Sequence, residues 1–331
     1  MTANAAALLL QHYVDNFRRL PWRSAPGEPP PDPYGVWLSE VMLQQTTVAA
    51  VTPRFERFVV RWPTVEALAT ASDEEILGEW AGLGYYARAR NLIACAREVA
   101  SRGAFPSTAA QLRRLPGIGD YTSAAIAAIA FGEPVAAVDT NVQRVTSRLH
   151  GLREASKAEV ASVVKDMLPE DRAGDFTQAM MDLGATICRS KAPLCGQCPV
   201  RSCCTAFRSG TPEAFPSRKQ RSGRPHKYGV AYWTEHNGYV WLVRRPSKGL
   251  LGGMAALPGS DWTHTPIQGA NGLGTIRHVF THFSLDLQVV LRSEPVGDGW
   301  WHPVDELSKA GLPTLYRRAA EVALMEQKRA A

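Results

Sequence analysis

The sequence predicts two domains of different class, a mostly helical domain followed by a smaller α+β domain. In the first 207 residues, apolar residues recur at intervals of three and four, which is typical of amphipathic helices. The clearest helical segments are residues 66–80, 90–101, 109–115 and 142–149. Further on, aromatic and β-branched residues at 229–235 and 239–245 flank Asn237-Gly238, a dipeptide that favours a type I′ hairpin turn.

The boundary between the two domains is predicted at a segment rich in proline, glycine and basic residues. This segment, residues 208–225, separates a helical domain at 1–207 from a second domain at 226–331. Within the second domain, residues 285–291 predict a strand and residues 315–327 predict a helix. A chain of 331 residues has ample material for a core in each domain.

The charge of the chain is unevenly distributed. The formal net charge is +6, yet residues 1–207 carry 21 basic and 21 acidic residues. Residues 208–224 carry five basic residues and one acidic residue, and residues 225–331 carry eleven and nine. A basic stretch between domains can follow a phosphate backbone, and it is equally compatible with a solvated linker.

The composition is that of an ordinary soluble globular protein, with 45% hydrophobic and 21% charged residues. Residues 5–10 are apolar, but no basic region precedes them, so they predict a first helix and not a signal peptide. No apolar run has transmembrane length, so no membrane partner is expected. We expect a monomer in a reducing compartment, the cytoplasm, associated with the nucleoid.

Five of the six cysteines lie between positions 188 and 204. The spacing Cys188-x6-Cys195-x2-Cys198-x5-Cys204 allows four thiols to converge on zinc or on a [4Fe–4S] cluster. Structural zinc usually takes two closely spaced ligand pairs, whereas this run has one, so the cluster is favoured. A disulfide framework does not suit a reducing compartment. Spacing alone leaves Cys203 and Cys204 as alternatives for the fourth ligand.

Residues 115–122 (LPGIGDYT) predict a tight turn that opens a helix of small residues. Gly117 and Gly119 would let the backbone approach a ligand closely. The unpaired N–H groups at the start of the helix would then attract an anion such as a DNA phosphate. An ordinary turn between helices explains the same segment equally well.

Two carboxylates are candidates for acid–base chemistry. Glu40 lies in the strongly apolar segment 36–46, where burial would raise its pKa and make it a general acid. Asp139 follows an apolar run and precedes a helix. The alternatives are a solvated polar stripe for Glu40 and a helix N-cap for Asp139. Nothing in their spacing shows that the two residues meet.

Five motifs in order resemble the MutY family of adenine DNA glycosylases, in the helix-hairpin-helix superfamily. They are VWLSEVMLQQT at 36–46, GLGYYARARNL at 82–92, LPGIG at 115–119, VDTNVQRV at 138–145 and the cysteine run. The resemblance covers nearly the whole chain. It implies a helix-hairpin-helix at about residues 112–130 and a [4Fe–4S] cluster at 188–204, with Cys204 as the fourth ligand.

The resemblance also assigns roles to individual residues. It implies that Glu40 protonates N7 of adenine in duplex DNA, opposite 8-oxoguanine or guanine, and that Asp139 stabilises the sugar cation. The remaining assignments are Arg23, Tyr121 and Asn141 in the pocket and Gln45, Leu83 and Tyr85 against the duplex. Endonuclease III-type relatives carry a Schiff-base lysine where this chain has Tyr121. A phenol cannot form a Schiff base, so a monofunctional enzyme in base excision repair is expected.

Residues 226–331 resemble the MutT-like (Nudix-like) domain that ends MutY proteins. The glutamate-rich box that holds metal in active MutT-type hydrolases is not found in the sequence. The family reads 8-oxoguanine with a Phe-Ser-His loop, and this chain has Phe280-Thr281-His282. Threonine keeps the hydroxyl and adds a methyl group, so lesion recognition by this loop is expected.

Two other functions are compatible with parts of the sequence. A bifunctional glycosylase/lyase of the endonuclease III type is disfavoured by Tyr121 and by the MutT-like domain. A non-catalytic iron–sulfur DNA-binding protein is disfavoured by the presence of both Glu40 and Asp139.

Overall fold

The computed structural model describes residues 2–80, 82–217, 224–246, 249–267, 272–280 and 282–330. The chain forms two compact units, residues 1–219 and 220–331. Across the described ranges, no helix combines the length and the apolar character needed to cross a membrane.

The described residues of the first unit form helices joined by turns and loops, with no strand among them. Its helices are α1 (Thr2–Asp15), α2 (Pro33–Leu43), α3 (Val48–Arg61), α4 (Val65–Thr70), α5 (Asp73–Trp80), α6 (Tyr86–Arg102), α7 (Ala109–Leu112), α8 (Asp120–Phe131), α9 (Thr140–His150), α10 (Lys157–Met167), α11 (Ala173–Asp182) and α12 (Thr205–Arg208). A π-helical turn, Leu183–Ile187, continues α11, and short 3-10 turns lie among the cysteines.

Two hydrophobic cores organise the helical unit. The first core takes its buried residues from the segment between Trp22 and Ala137, and it includes α2, α6 and α8. The second core is formed by α1 with α9, α10 and α11. The segment that carries five cysteines, residues 188–204 (the cysteine segment), packs against this core. Residues 138–141 connect Ala137, which is buried in the first core, to Val142, which is buried in the second, so this segment joins the two cores.

The second unit is an α+β domain with two sheets. Its strands are β1 (His226–Trp233), β2 (Glu235–His236), β3 (Tyr239–Arg244), β4 (Ala255–Ala256), β5 (Gly272–Val279), β6 (Ser284–Leu291) and β7 (Gly299–Pro303). In the first sheet, β6 pairs in parallel with β1 and antiparallel with β5. In the second sheet, β3 pairs antiparallel with β2, β4 and β7. Helix α13 (Thr314–Ala330) contributes Leu315, Tyr316 and Ala319 to the core of this domain.

The architecture confirms the predicted order of a helical domain and an α+β domain. The Asn237-Gly238 turn also forms as predicted: both residues have positive φ, 49° and 77°, and they join β2 to β3. The single helical segment predicted at 66–80 was wrong in one respect, because the chain breaks at Ala71 into α4 and α5.

The predicted linker, residues 208–225, begins later than the composition indicates. The carbonyl oxygen of Phe215 accepts a 3.1 Å hydrogen bond from Nε of Arg148, and Phe215 itself is buried. Ser217 N donates a 2.7 Å hydrogen bond to the carbonyl oxygen of Arg153. Residues 208–217 therefore belong to the helical unit, since a buried aromatic ring and these backbone hydrogen bonds hold them there.

Candidate active site

Glu40 lies on the buried face of helix α2. The helix begins at Pro33, where Asp32 accepts a 3.0 Å hydrogen bond from Tyr34 N, and its residues from Val36 to Met42 are buried. Glu40 is 8% exposed. Burial raises its pKa to about 7, and the nearby negative charge of Asp139 acts in the same direction. This carboxyl group can therefore hold a proton at neutral pH.

Tyr121 connects helix α8 to Glu40. Its phenol is hydrogen-bonded to the Glu40 carboxyl group, which tempers the rise in the pKa of Glu40. Burial, together with the charges of Glu40 and Asp139, raises the pKa of Tyr121 well above its ordinary value. Tyr121 therefore stays a neutral phenol that can donate a hydrogen bond, and its hydroxyl also lies 3.7 Å from Sδ of Met181.

Asp139 is the N-cap of helix α9. Its Oδ1 accepts a 2.7 Å hydrogen bond from Val142 N, and its Oδ2 accepts a 2.9 Å hydrogen bond from Nδ2 of Asn141. Both interpretations of Asp139 thus fit one geometry: the carboxylate caps a helix and also lies close enough to Glu40 to influence its pKa. The structure brings together two carboxylates whose sequence separation gave no sign of contact.

Arg144, which the sequence did not single out, holds Asn141 in place. Its Nη2 donates to Asn141 Oδ1 at 2.8 Å and to the carbonyl oxygen of Gly184 at 2.7 Å, and its Nε donates to the carbonyl oxygen of Cys188 at 2.8 Å. Gly184 permits this packing, because a Cβ atom there would lie 2.6 Å from Cβ of Asn141. The start of α9 is thereby tied to the backbone of the first cysteine.

Arg23 has a carboxylate partner that spacing could not reveal. Its guanidinium binds Asp182 through two hydrogen bonds, Nη1 to Oδ2 at 2.6 Å and Nη2 to Oδ1 at 3.1 Å. Arg18 Nη1 also donates to Asp182 Oδ1 at 2.9 Å. Arg23 lies near enough to Glu40 to lower the pKa of that residue. The positive charge of Arg23 is thus oriented beside Glu40 by a residue of helix α11.

The three residues expected to contact the duplex differ in exposure. Gln45 is exposed, and Tyr85 is 52% exposed. Both have left-handed backbones, with φ of 59° and 48°, a conformation that side chains other than glycine adopt at a cost. Leu83 is 6% exposed and packs in the first core, so its side chain could enter a duplex only after the loop rearranges.

The predicted helix-hairpin-helix turn joins α7 to α8. Gly117 has φ of 73° and approaches Asn91 so closely that a Cβ atom would lie 2.5 Å from Cβ of Asn91. Gly119 is the N-cap of α8, and within the described residues no side chain caps its backbone N–H groups. Asp120, at the first position of the helix, pairs with Arg113 at 2.7 Å, and both side chains are well exposed. The turn therefore offers backbone N–H groups to an anion.

The cysteines are not joined in disulfides, and four of the five between positions 188 and 204 line a common cavity. The cavity is bordered by Cys188, Cys195, Cys198 and Cys204 together with Arg148. Cys203 does not border it; its sulfur lies instead 4.0 Å from Nδ2 of Asn4. Arg148 Nη1 donates to Cys188 Sγ at 3.4 Å, so a positive charge lies beside one sulfur.

The four cysteines that border this cavity are donors for either zinc or a [4Fe–4S] cluster. Among the residues that the structure describes, no three His, Cys, Asp or Glu side chains converge tightly enough to hold one metal ion. A four-iron cluster holds its four thiolates farther apart than one zinc ion does, and it takes cysteine as its usual ligand. Cys188, Cys195, Cys198 and Cys204, which border the cavity, are the residues that could hold such a cluster.

In the second unit, Phe280 and His282, two of the predicted lesion-reading residues, lie at the turn between β5 and β6. Phe280 N donates a 2.8 Å hydrogen bond to the carbonyl oxygen of Phe283, which closes the turn. The ring of Phe280 stacks on Trp262 with a centroid separation of 5.6 Å and lies 4.5 Å from the ring of His278. His282 is exposed, and Thr281 lies outside the described residues.

Comparison with known proteins gives the class of each unit. Residues 38–170 match the family "HhH-GPD superfamily base excision DNA repair protein", and residues 229–322 match the family "NUDIX domain". A thermostable thymine-DNA glycosylase structure covers 63% of this chain and 97% of its own, with a TM-score of 0.57 and 27% identity. The structure of a non-covalent endonuclease III–DNA complex covers 62% of this chain and 95% of its own, with a TM-score of 0.54 and 25% identity. The helical unit is therefore a DNA glycosylase domain of the helix-hairpin-helix class, which confirms the predicted fold.

Curated relatives narrow the class further. The adenine DNA glycosylase of Rattus norvegicus is 34% identical over 85% of this chain and 69% of its own length. The enzyme of the same name from Mycobacterium tuberculosis (strain ATCC 25618 / H37Rv) is 39% identical over 64% of this chain and 70% of its own length. The chain spans 65% of the length of the Homo sapiens relative, to which it is 34% identical. This chain belongs to the adenine DNA glycosylase family, as the resemblance of its motifs predicts.

Proposed function

We propose that this protein is a monofunctional adenine DNA glycosylase that removes adenine opposite 8-oxoguanine, or opposite guanine, from duplex DNA in base excision repair. The observation that carries the proposal is the pair of carboxylates in the helical unit. Glu40 is buried with a pKa raised to about 7, and Asp139 lies within electrostatic range at the start of helix α9. An acid and an ionised neighbour are the two groups that cleavage of an N-glycosidic bond needs.

Glu40 acts as the general acid. Adenine is a poor leaving group as an anion, so protonation at N7 neutralises the charge that develops as the bond breaks. A carboxyl group with a pKa near 7 is protonated often enough at neutral pH, and it is acidic enough to give up its proton. The hydrogen bond from Tyr121 stabilises the carboxylate that remains after proton transfer.

Asp139 stabilises the sugar. As the bond between C1′ and N9 breaks, its electrons go to the base and C1′ gains oxocarbenium character. An ionised carboxylate held by Val142 N and by Asn141 is already oriented and needs no reorganisation at that moment. Water then adds to C1′ and loses a proton, which yields adenine and an abasic site.

The reaction requires the adenosine to leave the helical stack. The exposed Tyr85 and Gln45 are the residues proposed to enter the duplex in its place, and the N–H groups at the start of α8 are proposed to hold a phosphate. Because position 121 is a tyrosine, no Schiff base can form there, and we expect no strand cleavage.

The second unit is proposed to read the base opposite adenine. Phe280 and His282 lie on the β5–β6 turn, and the aromatic cluster around Phe280 keeps that turn in shape. Threonine at 281 keeps the hydroxyl that the resemblance requires. This unit would add preference for 8-oxoguanine over guanine and no chemistry of its own.

A [4Fe–4S] cluster is proposed in the cysteine cavity, with Cys188, Cys195, Cys198 and Cys204 as its ligands. Hydrolysis of an N-glycosidic bond transfers no electron, so the bound cluster would supply structure to the segment that follows α11. Arg144, which bonds to the backbone of Cys188, would relay that order to Asn141.

One assay tests the function against its rivals. Duplexes carry adenine opposite 8-oxoguanine, adenine opposite guanine, or an oxidised pyrimidine, and products are separated before and after alkali. The proposal expects adenine release from the first two duplexes and strand breaks only after alkali. Breaks without alkali at the pyrimidine would identify a glycosylase/lyase. Binding without base release from any duplex would identify a non-catalytic protein.

A further inference from the structure

The side chain of Arg88, on the first turn of helix α6, joins two separate segments of the helical unit. Its Nη1 donates hydrogen bonds to the carbonyl oxygens of Val41 at 2.9 Å and Met42 at 3.0 Å. Its Nη2 donates to the carbonyl oxygens of Leu83 at 2.9 Å and Gly84 at 3.4 Å. One guanidinium thus bonds the end of helix α2 to the loop between α5 and α6.

Each of these two segments ends in an exposed residue with a left-handed backbone. Gln45 follows the end of α2 with φ of 59°, and Tyr85 follows the α5–α6 loop with φ of 48°. A residue other than glycine holds this conformation only where its surroundings impose it. Arg88 bonds to Gly84, directly before Tyr85, and to Met42, three residues before Gln45, so its hydrogen bonds hold the chain that leads into both positions.

Ring contacts complete the clamp around the α5–α6 loop. The guanidinium carbon of Arg88 lies 5.3 Å from the ring centroid of Trp80 and 5.5 Å from that of Tyr85. Trp80 is fully buried, and its Nε1 donates a 3.0 Å hydrogen bond to the carbonyl oxygen of Gly84. The Arg88 side chain therefore packs against the ring of Tyr85 while it is anchored on the core.

We propose that Arg88 is a positioning residue that sets the spacing between Gln45 and Tyr85, so that the two side chains enter the duplex as one wedge and extrude the adenosine. The inference rests on the proposed glycosylase function. Arg88 would not touch the base or the sugar. Its effect is on extrusion, and protonation by Glu40 follows as a separate step.

Arginine suits this task and lysine does not. The planar guanidinium presents several N–H groups in a fixed fork, which is how one side chain can bond to four carbonyl oxygens on two segments. A lysine would keep the charge but would present a single ammonium group on a flexible stem. It would hold one segment at a time and leave the spacing between them loose.

Arg88→Lys is the test, with Arg97→Lys as the matched control. Arg97 lies on the same helix, is exposed and pairs with Asp73 at 2.7 Å. Extrusion is followed by the fluorescence of 2-aminopurine placed at the target position, and adenine release is followed under single turnover. Arg88→Lys should slow both by about tenfold or more on a paired duplex, while Arg97→Lys should match the wild type.

A second substrate separates wedge positioning from a general defect. This substrate places the adenosine opposite an abasic analogue and flanks it with mismatched base pairs, so the adenosine is already unstacked. On it, the loss of rate caused by Arg88→Lys should shrink to about threefold or less, which is what one lost wedge contact would leave. An equal deficit on both substrates, or a normal 2-aminopurine signal, would overturn the proposal. If the wild type released no adenine from any duplex, the glycosylase function would fail, and the 2-aminopurine signal would still report on Arg88.

If Arg88→Lys does not fold, a double-mutant cycle on Gln45 and Tyr85, with Arg88 left unchanged, takes its place. Gln45→Ala and Tyr85→Ala should each slow extrusion, and their losses should be strongly non-additive, because the two side chains act as a unit. Additive losses would contradict a shared wedge.

Discussion

Nη2 of Arg144 donates a 2.8 Å hydrogen bond to Oδ1 of Asn141, and Nδ2 of the same amide donates a 2.9 Å hydrogen bond to Oδ2 of Asp139. Arg144 thus orients the amide of Asn141, and this amide in turn orients the carboxylate of Asp139. With the bond from Arg144 Nε to the carbonyl oxygen of Cys188, a continuous chain of contacts runs from the cysteine segment to Asp139. The orientation of the Asp139 carboxylate therefore depends on Asn141 and, through Asn141, on Arg144.

Arg144→Gln should therefore lower the single-turnover rate of adenine release by about tenfold to a hundredfold, because Asn141 loses a charge-assisted hydrogen bond. Binding to an uncleaved duplex should change little. Arg102→Gln, which removes an exposed pair with Glu98, is the control and should behave as the wild type. A wild-type rate in Arg144→Gln would show that Asp139 is held well enough by its own helix.

The pH dependence of the reaction should follow Glu40. Burial raises its folded pKa to about 7 from 4.5, so the protonated acid is present below pH 7 and is lost as the pH rises through that value. The rate of adenine release should fall above about pH 7, and a plot of log rate against pH should there approach a slope of about −1. Glu40→Gln cannot donate a proton and should lose about a hundredfold or more of the rate while still binding duplex.

The same shift has a consequence for stability. A carboxyl group whose folded pKa is raised makes folding most favourable below its unfolded pKa and progressively less so up to its folded pKa. Wild-type protein should therefore lose about 2–3 kcal/mol relative to Glu40→Gln between pH 4.5 and pH 7. Denaturant unfolding of the two proteins at both pH values measures this difference, and parallel behaviour would mean that Glu40 is solvated.

Asp139 has two interpretations that one pair of substitutions separates. Asparagine is as good an N-cap as aspartate, so the free energy of unfolding of Asp139→Asn should lie within about 0.5 kcal/mol of the wild-type value. It should nevertheless lose about a hundredfold or more of the rate, because a neutral amide cannot balance a developing cation. Asp139→Ala should lose both rate and about 1 kcal/mol of stability. If Asp139→Asn were fully active, the cap would be the whole role of this residue.

The cysteine cavity gives a prediction that does not depend on activity. Purified protein should be brown, with iron and sulfide near four each per chain, as expected for a [4Fe–4S] cluster. Cys203→Ser should keep this iron, since Cys203 does not border the cavity. Cys204→Ser should lose it and unfold more readily. Zinc in place of iron, or loss of iron from Cys203→Ser, would contradict the ligand assignment.

How far the sequence predicted this site depends on the kind of contact. Features set by local pattern were predictable: the buried helix around Glu40, the cap at Asp139 and the Asn237-Gly238 turn each follow from a few neighbouring residues. Contacts between distant segments were not. Arg23 and Asp182 are 159 positions apart, and no spacing rule connects them. The proximity of Glu40 to Asp139 likewise arises from the packing of two cores against each other.

The sequence pattern also could not predict which side chains of a motif are exposed to solvent. Leu83 and Tyr85 are two positions apart in one motif, yet the first is 6% exposed and the second 52%. Leu83 packs in the first core, whereas Tyr85, with its left-handed backbone, directly precedes helix α6. Arg88 looked like one basic residue among several, and its role as a bridge depends on carbonyl groups that a sequence does not display.

The last prediction concerns the division of labour between the two units. Truncation after Lys219, where the compact helical unit ends, should leave a folded, cluster-bearing protein, because both helical cores and the cysteine segment lie before that point. It should still release adenine opposite guanine, though more slowly. Its preference for 8-oxoguanine over guanine, measured as a ratio of specificity constants, should shrink by about tenfold or more as the contacts from the β5–β6 turn are lost. In the full chain, replacing Phe280 and His282 by alanine should reproduce much of this loss, whereas His236→Ala, at the end of β2 in the same unit, should leave the ratio unchanged. An unaltered ratio in both the truncated protein and the double variant would show that the second unit does not read the opposing base.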